Sequence, residues 1–190
     1  MLVLDFSNFP VLSTKRLLLR QVTKADANEV FGLRSDSNVM KYIDRPMAKT
    51  IDDAINYIQK IENGITNNDY IAWALTLKEN NTLIGIISFH RIEKENYRAE
   101  IGYILATNFH RKGLMQEAVT AVLDYGFNIM KLHSVEAVIN PANDISAKLL
   151  EKNGFVREAY FKENYYFNGK FLDSAIYSLL APAAIKEKAE

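Results

Sequence analysis

Between Arg98 and Phe155 the chain changes its hydrophobic period three times. Arg98 to Ala106 is a short apolar and aromatic run, and Gly113 then opens a long helical repeat in Leu114, Ala118, Val119, Val122, Leu123, Gly126 and Ile129. Ser134 to Ile139 is strand-like again. Asn140-Pro141-Ala142-Asn143 breaks it, and a helix runs from Asp144 to Lys152 with Asn153-Gly154 as its stop signal. Strand, helix, strand, helix is the pattern of a crossover unit, which sets two neighbouring strands parallel. It predicts a sheet with at least one parallel pair.

The remaining segments add antiparallel neighbours. Arg16 to Val22 reads as a strand, and a Thr23 or Asp26 cap precedes a helix through Ala27, Val30, Phe31 and Leu33. From Thr50, the residues Ile51, Ala54, Ile55, Ile58 and Ile61 recur at helical spacing until Asn63-Gly64. Tyr70 to Leu77 and Leu83 to Phe89 flank the turn Lys78 to Asn81, and Arg98 to Ala106 follows a polar turn at Glu93 to Asn96, so a three-stranded meander is expected. Two further strand-like runs between Phe155 and Leu180 meet at Asn168-Gly169, a hairpin dipeptide. The sum is an α+β fold: a mostly antiparallel seven-stranded sheet with about four helices on its two faces. One domain is expected over residues 1–190, with its core at about 14–181 and a charged tail at 182–190.

Composition narrows the function. Lys plus Arg and Asp plus Glu are 23 each, so no net field draws the chain to nucleic acid or an acidic membrane. No apolar stretch approaches the ~20 residues needed to span a bilayer, and a cytoplasmic location is expected. There is no cysteine, and His90, His110 and His133 lack HxxxH or HxH spacing, so no metal site is expected.

The turn before the long helix carries the chemistry. A helix N-terminus offers unpaired N–H groups and a positive dipole end to a phosphate; Arg111 and Lys112 add charge, and Gly113 lets the ligand approach the backbone. Together with Thr14 to Arg20, Ile84-Gly85, Ala99 to Ala118, Asn153-Gly154-Phe155 and Asp173 to Leu180, this segment resembles the GCN5-related N-acetyltransferase (GNAT) family, in the branch similar to bacterial ribosomal-protein N-terminal acetyltransferases. The resemblance implies a splayed pair of parallel strands that receives acetyl-CoA, the co-substrate. It places the pantetheine arm on the main chain of Ile104, Leu105 and Ala106, and the pyrophosphate on His110, Arg111, Lys112, Gly113, Leu114 and Met115. Asn143 and Ser146 fall beside the thioester. The family's phosphate pattern is Gln or Arg, two residues, Gly, one residue, then Gly or Ala; here His110 and Met115 depart from it and Gly113 is kept.

Acetyl transfer to an amine needs a neutral nucleophile, a polarised carbonyl and a proton for the leaving thiolate. Glu100 is the candidate acceptor of the amine proton, directly or through water, and equally reads as a solvated strand carboxylate. Many family members carry an acidic tyrosine where this chain has Leu150. Ser146, one turn earlier, takes the thiol role here, although it and Asn143 also read as helix capping. Trp73, Tyr103, Tyr165, Tyr166 and Phe167 are candidates to line an acceptor groove, and as strand aromatics they read first as core, while His90 and His133 read as structural residues. Arg34, Asp36, Lys41 and Asp44, between the first two helices, are placed to shape acceptor choice.

The expected activity is transfer of acetyl from acetyl-CoA to the N-terminal α-amino group of a protein or peptide, a ribosomal protein in the branch it resembles. Acetylation of a small amine (an aminoglycoside, a polyamine or an amino-acid derivative) and a non-catalytic acyl-CoA-binding module are the alternatives. The sequence does not fix the oligomeric state, and a homodimer stays open.

Overall fold

The structure is a computed structural model that describes residues 1–182, so the expected tail lies, beyond residue 182, outside the described residues. Among the described residues, eight strands form one sheet: β1 (Leu12–Ser13), β2 (Leu17–Gln21), β3 (Ile71–Leu77), β4 (Asn80–Glu93), β5 (Arg98–Leu105), β6 (Ser134–Ile139), β7 (Val156–Phe167) and β8 (Lys170–Leu180). Their order is β1-β2-β3-β4-β5-β6-β8-β7, and the described pairings are antiparallel except β5 with β6. The α-helices among the described residues are α1 (Ala27–Ser35), α2 (Ser37–Met40), α3 (Ile51–Thr66), α4 (Leu114–Asn128) and α5 (Asp144–Lys152). The expected mixed fold is therefore present with one more strand and one more helix. Both additions are too short to carry a period: β1 has two residues, and α2 is a single turn started by the Asp36 carboxylate, which accepts from the Asn38 N–H.

Sequence chemistry accounts for the helices that frame the site. In α3, Thr50 and Asp53 form a reciprocal capping box, and Ala54, Ile58, Ile61 and Ile65 turn one buried stripe to the sheet. Helix α4 buries Leu114, Met115, Ala118, Val119, Val122, Leu123 and Phe127. Ile129, counted in its repeat, is the C-cap and is exposed. At Gly126 a Cβ would come within 2.8 Å of the Phe89 ring, so only hydrogen lets α4 lie this close to β4. Trp73 is fully buried, donates to the Pro10 carbonyl (2.7 Å) and packs edge-on against Tyr125. The core also takes in Leu2 and Phe6, beyond the expected start near residue 14. Packing of α4 and α5 on one face is completed by Asn153, whose side-chain oxygen accepts from Gln116 and Thr120.

Strand alternation then separates two faces. Phe89 points to α4, so its neighbours Ser88 and His90 point to the other face, where Tyr70 packs against Tyr57 of α3. The Asn168-Gly169 hairpin forms as expected, with φ of 48° and 79° at the two residues. Its Tyr166 and Phe171 stack edge to face in solvent, so Tyr166 is not core.

Candidate active site

The parallel pair β5 and β6 is joined only at Arg98–Ser134, Ala99–Val135 and Glu100–Glu136, although β5 continues to Leu105 and β6 to Ile139. Beyond Glu100 the two strands part. The Ala106 N–H donates to Ile84 O (2.8 Å), and the Ile104 carbonyl lies against Gly85, so both turn their main chain toward β4. Alternation turns the peptide groups of Tyr103 and Leu105 to the open side, where no β6 partner receives them among the described residues; the Leu105 carbonyl is bonded by His110 instead. Of the three residues expected to offer main chain there, Leu105 keeps its N–H on that side while its carbonyl is bonded by His110; Ile104 and Ala106 are spent on β4, which corrects their assignment.

The open edge runs into the turn before α4. Gly113 caps the helix with φ 72° and ψ 8°, a left-handed conformation in which a side chain is strained. Glu117 N donates back to Gly113 O, which leaves the N–H groups of Leu114, Met115 and Gln116 without intrahelical acceptors. The Leu114 and Met115 side chains are buried while Arg111 and Lys112 are exposed. Met115 therefore departs from the family pattern without blocking the helix end. His110 uses Nε2 to bond the Leu105 carbonyl (2.8 Å), tying the turn to the end of β5. Donors and charge of this kind suit a phosphate, and the open β5 edge suits an arm bearing amides, so these residues fit acetyl-CoA.

Glu100 is no solvated carboxylate. It is 8% exposed, and Arg91 Nη1 donates to its Oε2 (2.8 Å) while His90 Nε2 lies 3.2 Å from Oε1. Burial raises its pKa, but His90 and Arg91 outweigh that effect, and the carboxyl is held below its ordinary value. Two consecutive residues of β4 reach one partner because the strand bulges: the register slips between His90 and Glu93, and Arg91 adopts φ 47°. Gly102 makes room for the imidazole, whose Cε1 would lie 2.9 Å from a Cβ there. His90 thus belongs to the Glu100 cluster, a correction to its structural assignment, and it does so through a bulge that no residue pattern marks.

On the other face, the Tyr103 hydroxyl and Ser146 Oγ are 2.6 Å apart. Asn143 caps α5 by accepting from the Ser146 N–H (3.2 Å), so the capping role is real for Asn143, while the Ser146 hydroxyl is left for Tyr103. Burial pushes the Tyr103 phenol up to about 12, and the bond to Ser146 opposes part of that rise. Tyr103, expected in the core or along an acceptor groove, is partly buried against the core, and its pairing with Ser146 is what sequence reasoning missed. Leu150 is fully buried and packs in the core. Among the described residues no group of His, Cys, Asp and Glu could hold a metal ion, and no helix is long and apolar enough to cross a membrane. Of the four residues expected to shape acceptor choice, Arg34 lies over the Tyr57 ring (4.2 Å) and Lys41 over Tyr42 (4.9 Å).

Three comparisons bear on this arrangement. YoaA of Bacillus subtilis, an uncharacterized N-acetyltransferase, is 34% identical over 174 residues, 92% of this chain and 98% of its own length. The ribosomal protein uS5-alanine N-acetyltransferase of Escherichia coli is 31% identical over 101 residues, 53% of this chain and 52% of its own. A GNAT-family acetyltransferase from Bacillus anthracis superposes with a TM-score of 0.81 at 33% identity, covering 90% of this chain and 99% of that one. The family profile described as Acetyltransferase (GNAT) domain matches residues 16–156, and the chain belongs to the GNAT family of N-acetyltransferases.

Proposed function

We propose that this enzyme is cytoplasmic and transfers the acetyl group of acetyl-CoA to the N-terminal α-amino group of a protein or peptide. The observation that carries the acceptor class is the state of Glu100: Arg91 and His90 already face its carboxylate. A polyamine carries several cations and needs several free acids, whereas a single α-amine needs one proton acceptor and little more. Such an amine, with a reference pKa of ~8, is partly neutral near neutral pH. The partial likeness to the uS5-alanine enzyme supports the same class. A ribosomal protein is the acceptor first to test.

Acetyl-CoA supplies the activated acyl group; the chain holds it and moves the protons. The peptide groups of Tyr103 and the N–H of Leu105 would hold the pantetheine amides. The N–H groups of Leu114, Met115 and Gln116, with Arg111 and Lys112, hold the pyrophosphate. Glu100 stays ionised and orients His90, and this pair takes the proton that the amine loses on attack. Ser146 donates its hydroxyl proton toward the departing sulfur and takes up the proton of the Tyr103 hydroxyl across 2.6 Å, and water then reprotonates the phenol.

The test is free-thiol release from acetyl-CoA with a disulfide reagent, over Ala- and Ser-starting peptides, polyamines, aminoglycosides and amino acids. The chain has no cysteine and gives no background. Fastest turnover with the peptides is expected. Faster turnover with polyamines would refute the acceptor class.

A further inference from the structure

Arg16 lies in the turn between β1 and β2, outside the crossover unit that builds the site. That turn is held firmly. Thr14 N donates to Leu17 O and Lys78 N donates to Arg16 O, both at 3.0 Å, and Leu17 is fully buried beside it. From there the guanidinium reaches the start of α4. Nη1 donates to the Lys112 carbonyl (2.9 Å), Nε donates to Glu117 Oε2 (2.8 Å), and the Arg16 backbone N–H donates to Glu117 Oε1 (2.7 Å). The Thr14 hydroxyl donates to the same Oε1. Nη2 has no hydrogen-bond partner among the described residues and lies 3.6 Å from the point a Cβ on Gly113 would occupy.

The position of Glu117 makes this clasp consequential. It is the acidic residue of the first turn of α4, at the helix end whose free N–H groups would receive a pyrophosphate. An unpaired carboxylate there would repel that ligand and compete for the same dipole. Burial alone would raise its pKa, yet Thr14 and Arg16 together pull it far below the ordinary carboxylate value. The charge is therefore permanent and must be cancelled locally.

We infer that Arg16 is a positioning residue for the phosphate end of acetyl-CoA: it pins the Lys112–Gly113 turn in its open, left-handed form, neutralises Glu117, and turns its remaining amino group toward the site beside Arg111 and Lys112. This rests on the cofactor assignment of the turn given above. Arg16 acts through the loop and touches no reacting atom.

The experiment is calorimetric titration of the full chain with CoA and, separately, with pantetheine, which lacks the phosphates. Wild type is compared with Arg16→Ala, Arg16→Lys, Glu117→Gln and the double variant Arg16→Ala/Glu117→Gln, each with its melting temperature. Arg16→Ala is expected to weaken CoA by about tenfold or more, the size of one lost charge-assisted contact, and to leave pantetheine within about twofold. Arg16→Lys keeps the charge but not the two-pronged geometry, and recovers part of the loss. Removing the stranded carboxylate in the double variant recovers part as well. Equal loss for CoA and pantetheine in Arg16→Ala, unchanged CoA affinity, or no recovery in the double variant would each overturn the inference while leaving the cofactor assignment standing. Should wild type bind pantetheine as tightly as CoA, the assignment of the turn to phosphates fails first.

Discussion

Replacing Glu117 by Gln should flatten the acid limb of the protein's stability. A glutamate carboxyl titrates near 4.5 when free; here burial raises it, but hydrogen bonds from Thr14 and Arg16 and the Arg16 charge pull it down to about 2. Because the folded value lies below the unfolded one, the native state binds fewer protons than the unfolded state in between. The stabilisation is complete above about 4.5 and drains away as pH falls toward about 2. One pKa unit corresponds to about 1.4 kcal/mol, so the ceiling is about 3 kcal/mol. Water reaches the pair, since the Arg16 side chain is 44% exposed. Solvent screening brings the expected gain to about 1–2 kcal/mol.

Glutamine keeps an oxygen for Thr14 and for the Arg16 N–H but carries no charge, so the comparison isolates the ionic part. Urea unfolding followed by circular dichroism at low salt, over the range from about pH 7 to about pH 2, measures it. Wild type should exceed Glu117→Gln by about 1–2 kcal/mol at neutral pH, with the gap closing on acidification and shrinking in molar salt. Every other carboxylate titrates in both proteins and cancels in the difference. A gap that stays constant with pH would mean lost packing rather than lost charge. No gap at neutral pH would refute the ion pair as a stabilising contact.

Three further outcomes follow from the same geometry. Ser146→Ala and Tyr103→Phe should each lower kcat by about ten- to a hundredfold with little change in KM for acetyl-CoA, and the double variant should be no worse than the worse single, because the two hydroxyls act as one unit; with the phenol at about 12, an alkaline limb near neutrality that Tyr103→Phe abolishes would contradict this. Glu100→Gln and His90→Ala should both cut kcat, each by about tenfold or more, and full activity of His90→Ala would return the proton to Glu100 alone. Gly126→Ala should cost about 1–3 kcal/mol in urea unfolding, since its Cβ meets the buried Phe89 ring, while thiol release per folded molecule is retained.

The sequence exposed what is periodic and concealed what depends on register. The α4 repeat, the β6 run and the Asn153-Gly154 stop announce the crossover because each carries several residues of one period. The Asn168-Gly169 turn is readable for a similar reason, as its residues are those that tolerate positive φ. The bulge at Arg91 has no such mark. Arginine is an unexpected residue at φ 47°, and without the one-residue slip His90 and Arg91 would point to opposite faces and could not share Glu100. Tyr103 and Ser146 stand 43 residues apart and meet only because β5 and α5 bound the same opening.

The departures at the phosphate turn follow from the same distinction. A site that binds through peptide N–H groups constrains the backbone and leaves many side chains free, so Met115 can face the core and His110 can brace Leu105 without altering what the turn offers a ligand. Gly113 is kept because there the constraint is conformational, with φ at 72°. The contacts that a side chain must make lie elsewhere, in Arg16 and Glu117, which are 101 residues apart and meet beneath that turn. On the proposed assignment of this turn to the phosphates, the residues that set its selectivity need not lie in the turn, and a local motif does not reveal them. Exchange of Leu114 or Met115 for another apolar residue should therefore cost less affinity for CoA than loss of Arg16.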